Sequence, residues 1–344
     1  MKRSRLVWII ISGVLLFTGY RLNNALNKSI TKFDAEARYV FNREEGNAKE
    51  EIKKQIREGQ LLQNEDRFFR IADLLNVWGN VTPGRFEIKK GATGWEIMQT
   101  LKNNQQSNQV DFTIKKLQTK EGLSSIIGRR FLTDSATAYK FLTSLDSLAP
   151  LGVDTHTVFT LIIPDDFSIH YKSDTRKILE HFKQKSDSFW VADNRLDKVA
   201  QSGLTKRQFY ILASIVEEES AKDDEKGNIA SVYLNRMRRG MRLGADPTVK
   251  FALRRFDLRR ILNEDLKVQS PYNTYVNSGL PPGPICTPSA ATIDAMLPVP
   301  ATNYLFFVAK DDFSGYHVFT TNYNDHLAFA EKYRKALDEQ HIKR

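Results

Sequence analysis

The sequence predicts an α+β protein, in which an N-terminal apolar segment precedes a small α+β module and a mainly helical C-terminal domain that ends in a β-hairpin. Three observations predict this architecture. Residues 6–20 contain no charged side chain. Residues 81–131 combine short extended patterns with a helical one, as small mixed modules do. Beyond residue 200 apolar residues recur at helical spacing, until the extended runs 304–309 and 316–320 flank a turn.

The composition is that of a folded, basic protein. Of the 344 residues 41% are hydrophobic and 27% are charged, and the net charge is +10. The length favours two or three domains, and the charge favours anionic partners such as nucleic acid, lipid head groups or a carboxylate-bearing polymer. Cys286 is the only cysteine and the six histidines are scattered, so we predict no disulfide, no metal site and no cofactor.

The N-terminus resembles an uncleaved signal anchor. Lys2, Arg3 and Arg5 precede the apolar run 6–20, which is long for a signal-peptide core and slightly short for a full span. No small-x-small cleavage site follows it. Positive charge before the run predicts that residues 1–21 form a cytoplasmic tip and a single-pass anchor, with the rest of the chain outside the cytoplasmic membrane. This location disfavours nucleic acid as a partner.

Three regions are predicted between the anchor and the C-terminal domain. Residues 22–80 form a tether and a helical region, broken near Gly59. Residues 81–131 read as strand, turn, helix and strand, which suggests a LysM-like module, a type that often binds glycan. A spacer without a ligand fits this pattern equally well. Residues 132–200 form a connecting α+β region with a buried strand at 159–163.

Residues 201–344 form the predicted C-terminal domain, and one helix lies at its centre. The stretch FYILASIVEEES covers residues 209–220. Thr205 is predicted to cap this helix, and Gln208 three residues later completes a capping-box pattern. At 100° per residue four apolar side chains share one face: Phe209, Leu212, Ala213 and Val216. A second helix is predicted over residues 257–266.

Three adjacent carboxylates end the central helix. On the helical wheel Glu218 points away from the apolar face, while Glu217 and Glu219 lie near its flanks. A carboxyl beside an apolar wall loses solvation, which raises its pKa, and a general acid that works near neutral pH needs such a shift. The alternative is a Glu cluster that closes a core helix in solvent.

Several stretches resemble the YceG-like endolytic murein transglycosylases in order and spacing. They are LASIVEEES (212–220), NIASVYLNRMRRGMRLGADPTV (228–249), SPYNTY (270–275), GLPPGPI (279–285) and TPS (287–289). A further pair, YLFFVA (304–309) and HVFTTN (317–322), is similar to the closing hairpin of that family. The resemblance is dense in the C-terminal half and extends more loosely over nearly the whole chain.

The resemblance implies a bitopic inner-membrane enzyme with its catalytic domain at residues 201–344. Such enzymes cut nascent peptidoglycan strands internally at the MurNAc–GlcNAc bond and leave a 1,6-anhydro-MurNAc end. The resemblance also implies a peptidoglycan synthase complex as partner. The first glutamate of the family's I-V-E-x-E motif is the catalytic one, which places that role on Glu217. Glu219 is the rival within the same helix, since wheel geometry buries it at least as well; its alternative roles are a structural partner of an Arg or a backbone amide, or a residue that supports Glu217.

The loops after the central helices carry the predicted substrate-binding residues. The family's Asp-Pro-Thr turn and its tyrosine-asparagine segment fall on residues 246–248 and 272–275. Tyrosine rings can stack on sugars, while hydroxyl and amide groups can hydrogen-bond sugar hydroxyl or N-acetyl groups. The predicted set is Asn235, Asp246, Thr248, Tyr272, Asn273, Thr274, Tyr275 and Thr287. A rigid connector without a ligand is the alternative for the loop, and a satisfied core amide is the alternative for Asn235.

A single carboxyl is sufficient for a lytic reaction. The sugar's own 6-hydroxyl attacks, so one Glu can give a proton to the glycosidic oxygen and then take one from the hydroxyl. Our hypothesis from the sequence is that Glu217 does both. Two alternatives stay open. A muramidase that uses water needs a second carboxylate, for which Asp246 is the candidate. A non-catalytic glycan-binding scaffold of the cell-wall machinery needs no carboxylate.

Overall fold

The computed structural model describes residues 27–106, 109–258 and 261–339. The chain divides into two compact units. The first ends at Asp111 and also includes two short later segments, 126–135 and 168–174; the second contains 112–125, 136–167 and the chain from Thr175 onward. Helices and strands occur in both units, which confirms the α+β class. The predicted domain boundaries stay a prediction.

The predicted membrane anchor, residues 6–20, lies outside the described residues. Among the residues that are described, no helix is long and apolar enough to cross a membrane.

The first unit is built on a two-stranded antiparallel sheet. Strand β1 (Ala37–Asn42) pairs with β2 (Gly84–Lys89), in a register that sets Ala37 opposite Lys89. Helices α1 (Ala48–Glu58) and α2 (Glu65–Leu74) connect the strands, and α3 (Gly94–Lys102) follows β2. The break predicted near Gly59 is therefore present. The sheet and these helices bury a common core that includes Val40, Ile52, Ile56, Phe68, Phe69, Phe86, Ile97, Met98 and Leu101.

The strands predicted within residues 81–131 find their partners outside that range. Strand β2 pairs with β1, and β3 (Gln109–Thr113) pairs with β4 (Asp166–His170). Strand-forming residues can be recognised locally, but the choice of partner depends on packing that a local pattern does not specify. A glycan-binding role for the LysM-like region stays a prediction.

The remaining helices follow along the chain, most of them in the second unit. They are α4 (Lys120–Arg130), α5 (Ser135–Leu142), α6 (Leu145–Leu148), α7 (Thr175–Val191), α8 (Arg195–Gln201), α9 (Lys206–Glu219), α10 (Asp223–Arg238), α11 (Asp246–Leu253), α12 (Ala290–Ala295) and α13 (Tyr323–Glu339). The predicted hairpin is confirmed, since β5 (Phe306–Ala309) pairs antiparallel with β6 (His317–Thr320).

Two predicted elements of the second unit are wrong. The apolar run 159–163 is not a strand; Val158–Leu161 forms a 3₁₀ turn in which most side chains are buried. A short apolar run suits any buried segment, so periodicity alone could not identify a strand. The helix predicted over 257–266 is absent from the described part of that range, where only Asp265–Lys267 forms a 3₁₀ turn. This stretch buries no apolar face, and Leu262 is 59% exposed.

Helix α9 is the centre of the second unit and is buried on every side. All eight residues from Phe209 to Val216 are buried, rather than the single face predicted. The helix packs against α8, α10, α11 and α12. The core around it includes Trp190, Ile229, Ala230, Tyr233, Leu234, Ile293 and Met296. The helix leaves this core at both ends, at the exposed Lys206, Arg207 and Gln208 and at the half-buried C-terminal carboxylates.

A buried carboxylate attaches the hairpin to the start of α10. Glu225 is 4% exposed. Its Oε2 accepts the backbone N–H of His317 at 3.0 Å, and its Oε1 lies 2.7 Å from His317 Nδ1 and accepts Ser220 Oγ at 2.5 Å. These bonds fix β6 next to the end of α9.

Loss of the α9 cap should lower stability. The side chain of Thr205 accepts the Gln208 N–H at 3.2 Å, and Gln208 Oε1 accepts the Thr205 N–H at 3.0 Å, which confirms the predicted capping box. We expect Thr205→Ala to reduce the free energy of unfolding by about 1 kcal/mol, measured by urea denaturation. Ser188→Ala, at an exposed position within α7, is the control and should change it by less than about 0.5 kcal/mol. Equal stability of Thr205→Ala and the parent chain would contradict this role.

Candidate active site

The three carboxylates at the end of α9 meet three different surroundings. Glu217, Glu218 and Glu219 are each half-buried. Successive residues of a helix are rotated by 100°, so the first and third carboxylates point about 200° apart. The two candidate acids therefore cannot share one set of partners.

Glu217 is bound by the start of a neighbouring helix. Its Oε2 accepts the backbone N–H of Ser289 at 3.2 Å, Ser289 Oγ at 3.0 Å, and the hydroxyl of Thr292. Ser289 is the N-cap of α12, where a negative charge is favourable. The Thr292 hydroxyl also accepts the buried Lys226 ammonium at 2.7 Å, and Lys226 bonds Asp223 at 2.7 Å. Glu217 is thus part of a polar network that joins helices.

Ser214, one turn before Glu217, binds the same segment. Its hydroxyl accepts the Ile285 N–H at 3.1 Å, and the Cys286 thiol lies 3.4 Å from the Ser214 carbonyl oxygen, to which it donates. Residues 285–289 are in this way fixed along α9.

Glu218 forms an ion pair with Lys116, whose Nζ lies 2.8 Å from Oε1. Burial and the nearby carboxylate of Glu218 raise the pKa of the Cys286 thiol well above its ordinary value. Cys286 therefore behaves as a core residue and not as a nucleophile.

Glu219 has the surroundings expected of a general acid. Its Oε1 accepts the Tyr233 hydroxyl at 2.5 Å. Burial raises the pKa of Glu219 to about 7, and the negative charge of Asp246 adds to this shift. The Tyr233 hydrogen bond and the positive charges of Arg236 and Lys250 oppose it. A substantial fraction of Glu219 is therefore protonated at neutral pH, so the residue can give and accept a proton there.

Asp246 is held by a tyrosine of the predicted loop. The Tyr275 hydroxyl donates to Asp246 Oδ1 at 2.6 Å, and burial raises the pKa of Tyr275, so this hydroxyl stays protonated. Two residues earlier Gly244 has φ +59°, which side-chain-bearing residues rarely adopt, and its N–H donates to the Thr274 carbonyl at 3.1 Å. The turn and the tyrosine segment thereby position Asp246.

Three of the predicted substrate-binding hydroxyl groups are buried and already bonded. Thr248 Oγ1 donates to the Ala245 carbonyl at 2.6 Å, and Thr274 Oγ1 accepts the Ala245 N–H at 2.9 Å. Thr287 Oγ1 accepts the Leu117 N–H at 2.9 Å. All three threonines are at most 1% exposed, so a direct contact with a sugar does not fit them. Their hydroxyl groups hold loops together instead.

The two predicted asparagines also bond the backbone. The Asn273 amide donates to two carbonyls within residues 266–268, both at 2.9 Å, and the side chain is fully buried. The Asn235 amide donates to carbonyls at residues 302 and 304, at 2.8 and 3.0 Å. The alternative of a satisfied core amide therefore describes Asn235, and a sugar contact by Asn273 does not fit its burial.

Tyr272 faces a pocket away from these bonded groups. Its ring lies 4.6 Å from that of Phe251, and its hydroxyl lies 3.1 Å from His156 Nδ1. Burial raises the pKa of Tyr272 to about 12. Gly283 permits this arrangement, since a Cβ there would lie 2.0 Å from the His156 carbonyl oxygen.

The sequence analysis missed Tyr233 and Arg236 as site residues. Nothing local in the sequence shows that the Tyr233 hydroxyl reaches Glu219, 14 residues earlier. Arg236 donates through Nε to the Leu305 carbonyl at 2.7 Å. Among the described residues, no group of three or more His, Cys, Asp or Glu side chains is placed to hold a metal ion.

The raised pKa of Glu219 should make stability fall with pH. An ordinary Glu has a pKa of 4.5 and folded Glu219 has one of about 7, so the folded state binds this proton more tightly. The contribution is full below about 4.5 and is lost as pH rises through about 7. We expect the parent chain to lose about 2 kcal/mol more than Glu219→Gln between pH 5 and pH 8, in urea denaturation. Parallel pH profiles for the two proteins would contradict the shift.

Comparisons with known proteins agree with the motifs. The model of the YceG-like family matches residues 41–332. The chain is 40% identical over 129 residues to the endolytic murein transglycosylase of Bacillus subtilis strain 168, a match that covers 38% of this chain and 35% of that protein. It is 33% identical over 132 residues to a protein of the same name from Streptococcus pneumoniae, and this match covers 37% of the chain and 24% of that protein.

A solved structure shares the fold. It is the crystal structure of a YceG-like protein from Listeria monocytogenes, with a TM-score of 0.54 and 22% identity over 86% of this chain and 99% of that chain. The matches to the curated relatives span 35% and 24% of their length, whereas the family model covers most of this chain. The chain belongs to the YceG-like family.

Proposed function

We propose that the chain is an endolytic lytic transglycosylase of peptidoglycan. It would cleave the MurNAc–GlcNAc bond within a glycan strand and leave a 1,6-anhydro-MurNAc end. Support comes from membership of the YceG-like family and from two relatives named endolytic murein transglycosylase. It also comes from a carboxyl, Glu219, whose pKa of about 7 suits proton transfer at neutral pH.

The proposal gives the acid role to Glu219 and not to Glu217. This choice rests on the difference between the groups that surround Glu217 and those that surround Glu219. Three donors bind one oxygen of the Glu217 carboxylate and attach it to the start of α12, whereas Glu219 is desolvated beside Tyr233 and Asp246. A general acid must lose and regain its proton during the reaction. Glu219 can do so without breaking a hydrogen-bond network of the kind that holds Glu217.

One carboxyl is enough for both proton transfers of the reaction. Protonated Glu219 gives its proton to the glycosidic oxygen as the bond from that oxygen to C1 of MurNAc breaks. The Glu219 carboxylate then takes the proton of the MurNAc 6-hydroxyl while that oxygen bonds to C1. No water enters, and Glu219 ends protonated as it began. The attacking hydroxyl belongs to the same sugar, so its effective concentration is high without a second protein group.

Tyr233 and Asp246 would tune and orient this acid. The Tyr233 hydroxyl, at 2.5 Å, fixes the direction of the Glu219 carboxyl. The charge of Asp246 favours the protonated form of Glu219 before the reaction. Tyr275 holds Asp246 in turn, and this arrangement gives the tyrosine loop a role that needs no direct sugar contact.

A muramidase that uses water is the second candidate. Inverting and retaining glycosidases need two carboxylates, and Asp246 acts electrostatically on Glu219, as such a pair would. The mass of the product separates the two reactions, because hydrolysis leaves a reducing end and adds one water. A non-catalytic scaffold would release neither product.

The cellular setting is proposed on the sequence alone. Residues 6–20 would anchor the chain in the cytoplasmic membrane, with the catalytic unit on the outer side. A peptidoglycan synthase complex would be the partner, with cleavage acting on strands as they are made.

Substitution of each carboxylate by glutamine tests the assignment. We expect Glu219→Gln to lower the rate of anhydro-MurNAc formation on uncrosslinked glycan strands about 10³-fold, because the amide cannot transfer the proton. Glu217→Gln should retain activity within about tenfold per folded molecule but lose about 1–3 kcal/mol of stability, because it breaks buried hydrogen bonds. Products are identified by mass spectrometry, and the folded fraction by circular dichroism.

Glu218→Gln is the matched control and should stay near the parent rate. A folded Glu217→Gln chain without activity, together with an active Glu219→Gln chain, would return the role to Glu217. If the parent chain releases no anhydro ends, the proposed function is wrong.

A further inference from the structure

A second pocket in the same unit has no part in the chemistry proposed for Glu219. It has a volume of about 350 Å³ and is walled by aromatic rings. Phe251 lies between Phe256 and Tyr272, with ring centroids 6.2 and 4.6 Å away. Phe159 and Tyr139 complete the apolar wall. Concave sites that combine such walls with a few polar groups are typical ligand sites.

A half-buried lysine is the main polar group of this pocket. Lys120 Nζ donates to the Thr155 carbonyl at 2.9 Å. An ammonium has three protons to donate, so this bond leaves capacity for a ligand. Burial lowers the pKa of Lys120, and the carboxylates of Glu121 and Asp154 do not offset this effect. The charge of Lys120 is therefore incompletely balanced by the side chains around it.

A second cation stands at the rim. Arg254 Nη2 lies 2.9 Å from Glu121 Oε1, and the Tyr139 hydroxyl lies 3.4 Å from the same oxygen. These side chains are exposed, so the ion pair is weak and can exchange partners. Two cations thus border the pocket, and the carboxylate that lines it is already shared with one of them.

One helix connects this pocket to Asp246, whose charge acts on the candidate acid Glu219. Helix α11 carries Asp246 in its first turn and Phe251 near its end, with Arg254 directly after it. At a rise of 1.5 Å per residue, Asp246 and Arg254 are about 12 Å apart along the helix axis. A ligand in the pocket would therefore lie at a fixed distance from the proposed site at Asp246 and Glu219. A branch of the substrate that is cleaved at that site would lie at such a fixed distance.

We propose that this pocket binds the carboxylate-bearing peptide branch of peptidoglycan, with Lys120 and Arg254 at the carboxylate and the aromatic rings at its apolar side chains. This inference rests on the proposed function, because it takes peptidoglycan as the substrate. It deepens that function by making the enzyme selective for strands that carry peptides.

Binding of wall fragments tests this pocket without any cleavage. The probes are GlcNAc–MurNAc with its peptide, GlcNAc–MurNAc without it, and the free peptide. None contains a MurNAc–GlcNAc bond to cut, so failure of the proposed activity would not affect the readout. With the full chain in detergent, calorimetry should show tighter binding of the peptide-bearing disaccharide. We expect Lys120→Met to weaken that binding about tenfold and to leave the peptide-free disaccharide unchanged.

Two further variants separate charge from folding. Lys120→Arg keeps the charge and should retain most of the affinity for the peptide-bearing disaccharide. Arg254→Ala, at an exposed position, should weaken the binding of the peptide-bearing disaccharide alone. Lys335→Met, a surface lysine of α13, is the control and should bind as the parent does. Equal affinity of Lys120→Met and the parent for the peptide-bearing probe would overturn the proposal. So would an equal loss for both disaccharides, because the pocket would then hold the sugar.

Discussion

Desolvation at the end of a helix whose middle is completely buried is the constraint on which the candidate site depends. Helix α9 is packed on all sides from Phe209 to Val216, so its position relative to α10, α11 and α12 cannot shift without opening the core. Glu219 lies three residues after Val216, half-buried at the edge of this core. Burial raises the pKa of Glu219 to about 7 and the negative charge of Asp246 adds to this shift, so a substantial fraction of the carboxyl is protonated at neutral pH.

The adjacent carboxylates show how one helix end supports both structure and chemistry. Glu217 anchors residues 289–292 through Ser289 and Thr292, and Glu218 pairs with Lys116. The buried threonines and Asn273 fasten the loops that carry Asp246 and the tyrosines. The polar residues of these loops therefore hold Asp246 and its neighbours in a fixed arrangement around Glu219.

The structural features that could be predicted from the sequence are local ones. The Thr205 capping box, α9 and the closing hairpin depend on residues close in the chain, and the motifs identified the family. The resemblance assigned the acid role to Glu217, and the helical wheel could not separate Glu217 from Glu219, because it gives directions and not partners. Ser289 and Thr292 lie 72 and 75 residues from Glu217. Likewise an asparagine in a loop rich in proline and glycine can bond either a ligand or the backbone, and only the fold shows which.

The central claim is that Glu219 holds a proton near neutral pH, and a carboxyl titration tests it most directly. The ¹³C resonance of the Glu219 side-chain carboxyl, assigned by its loss in Glu219→Gln, can be followed by NMR from pH 4 to pH 9. The account predicts a midpoint of about 7. A midpoint near the ordinary value of 4.5 would contradict it, since Glu219 would then be charged before the reaction and could not act as the acid.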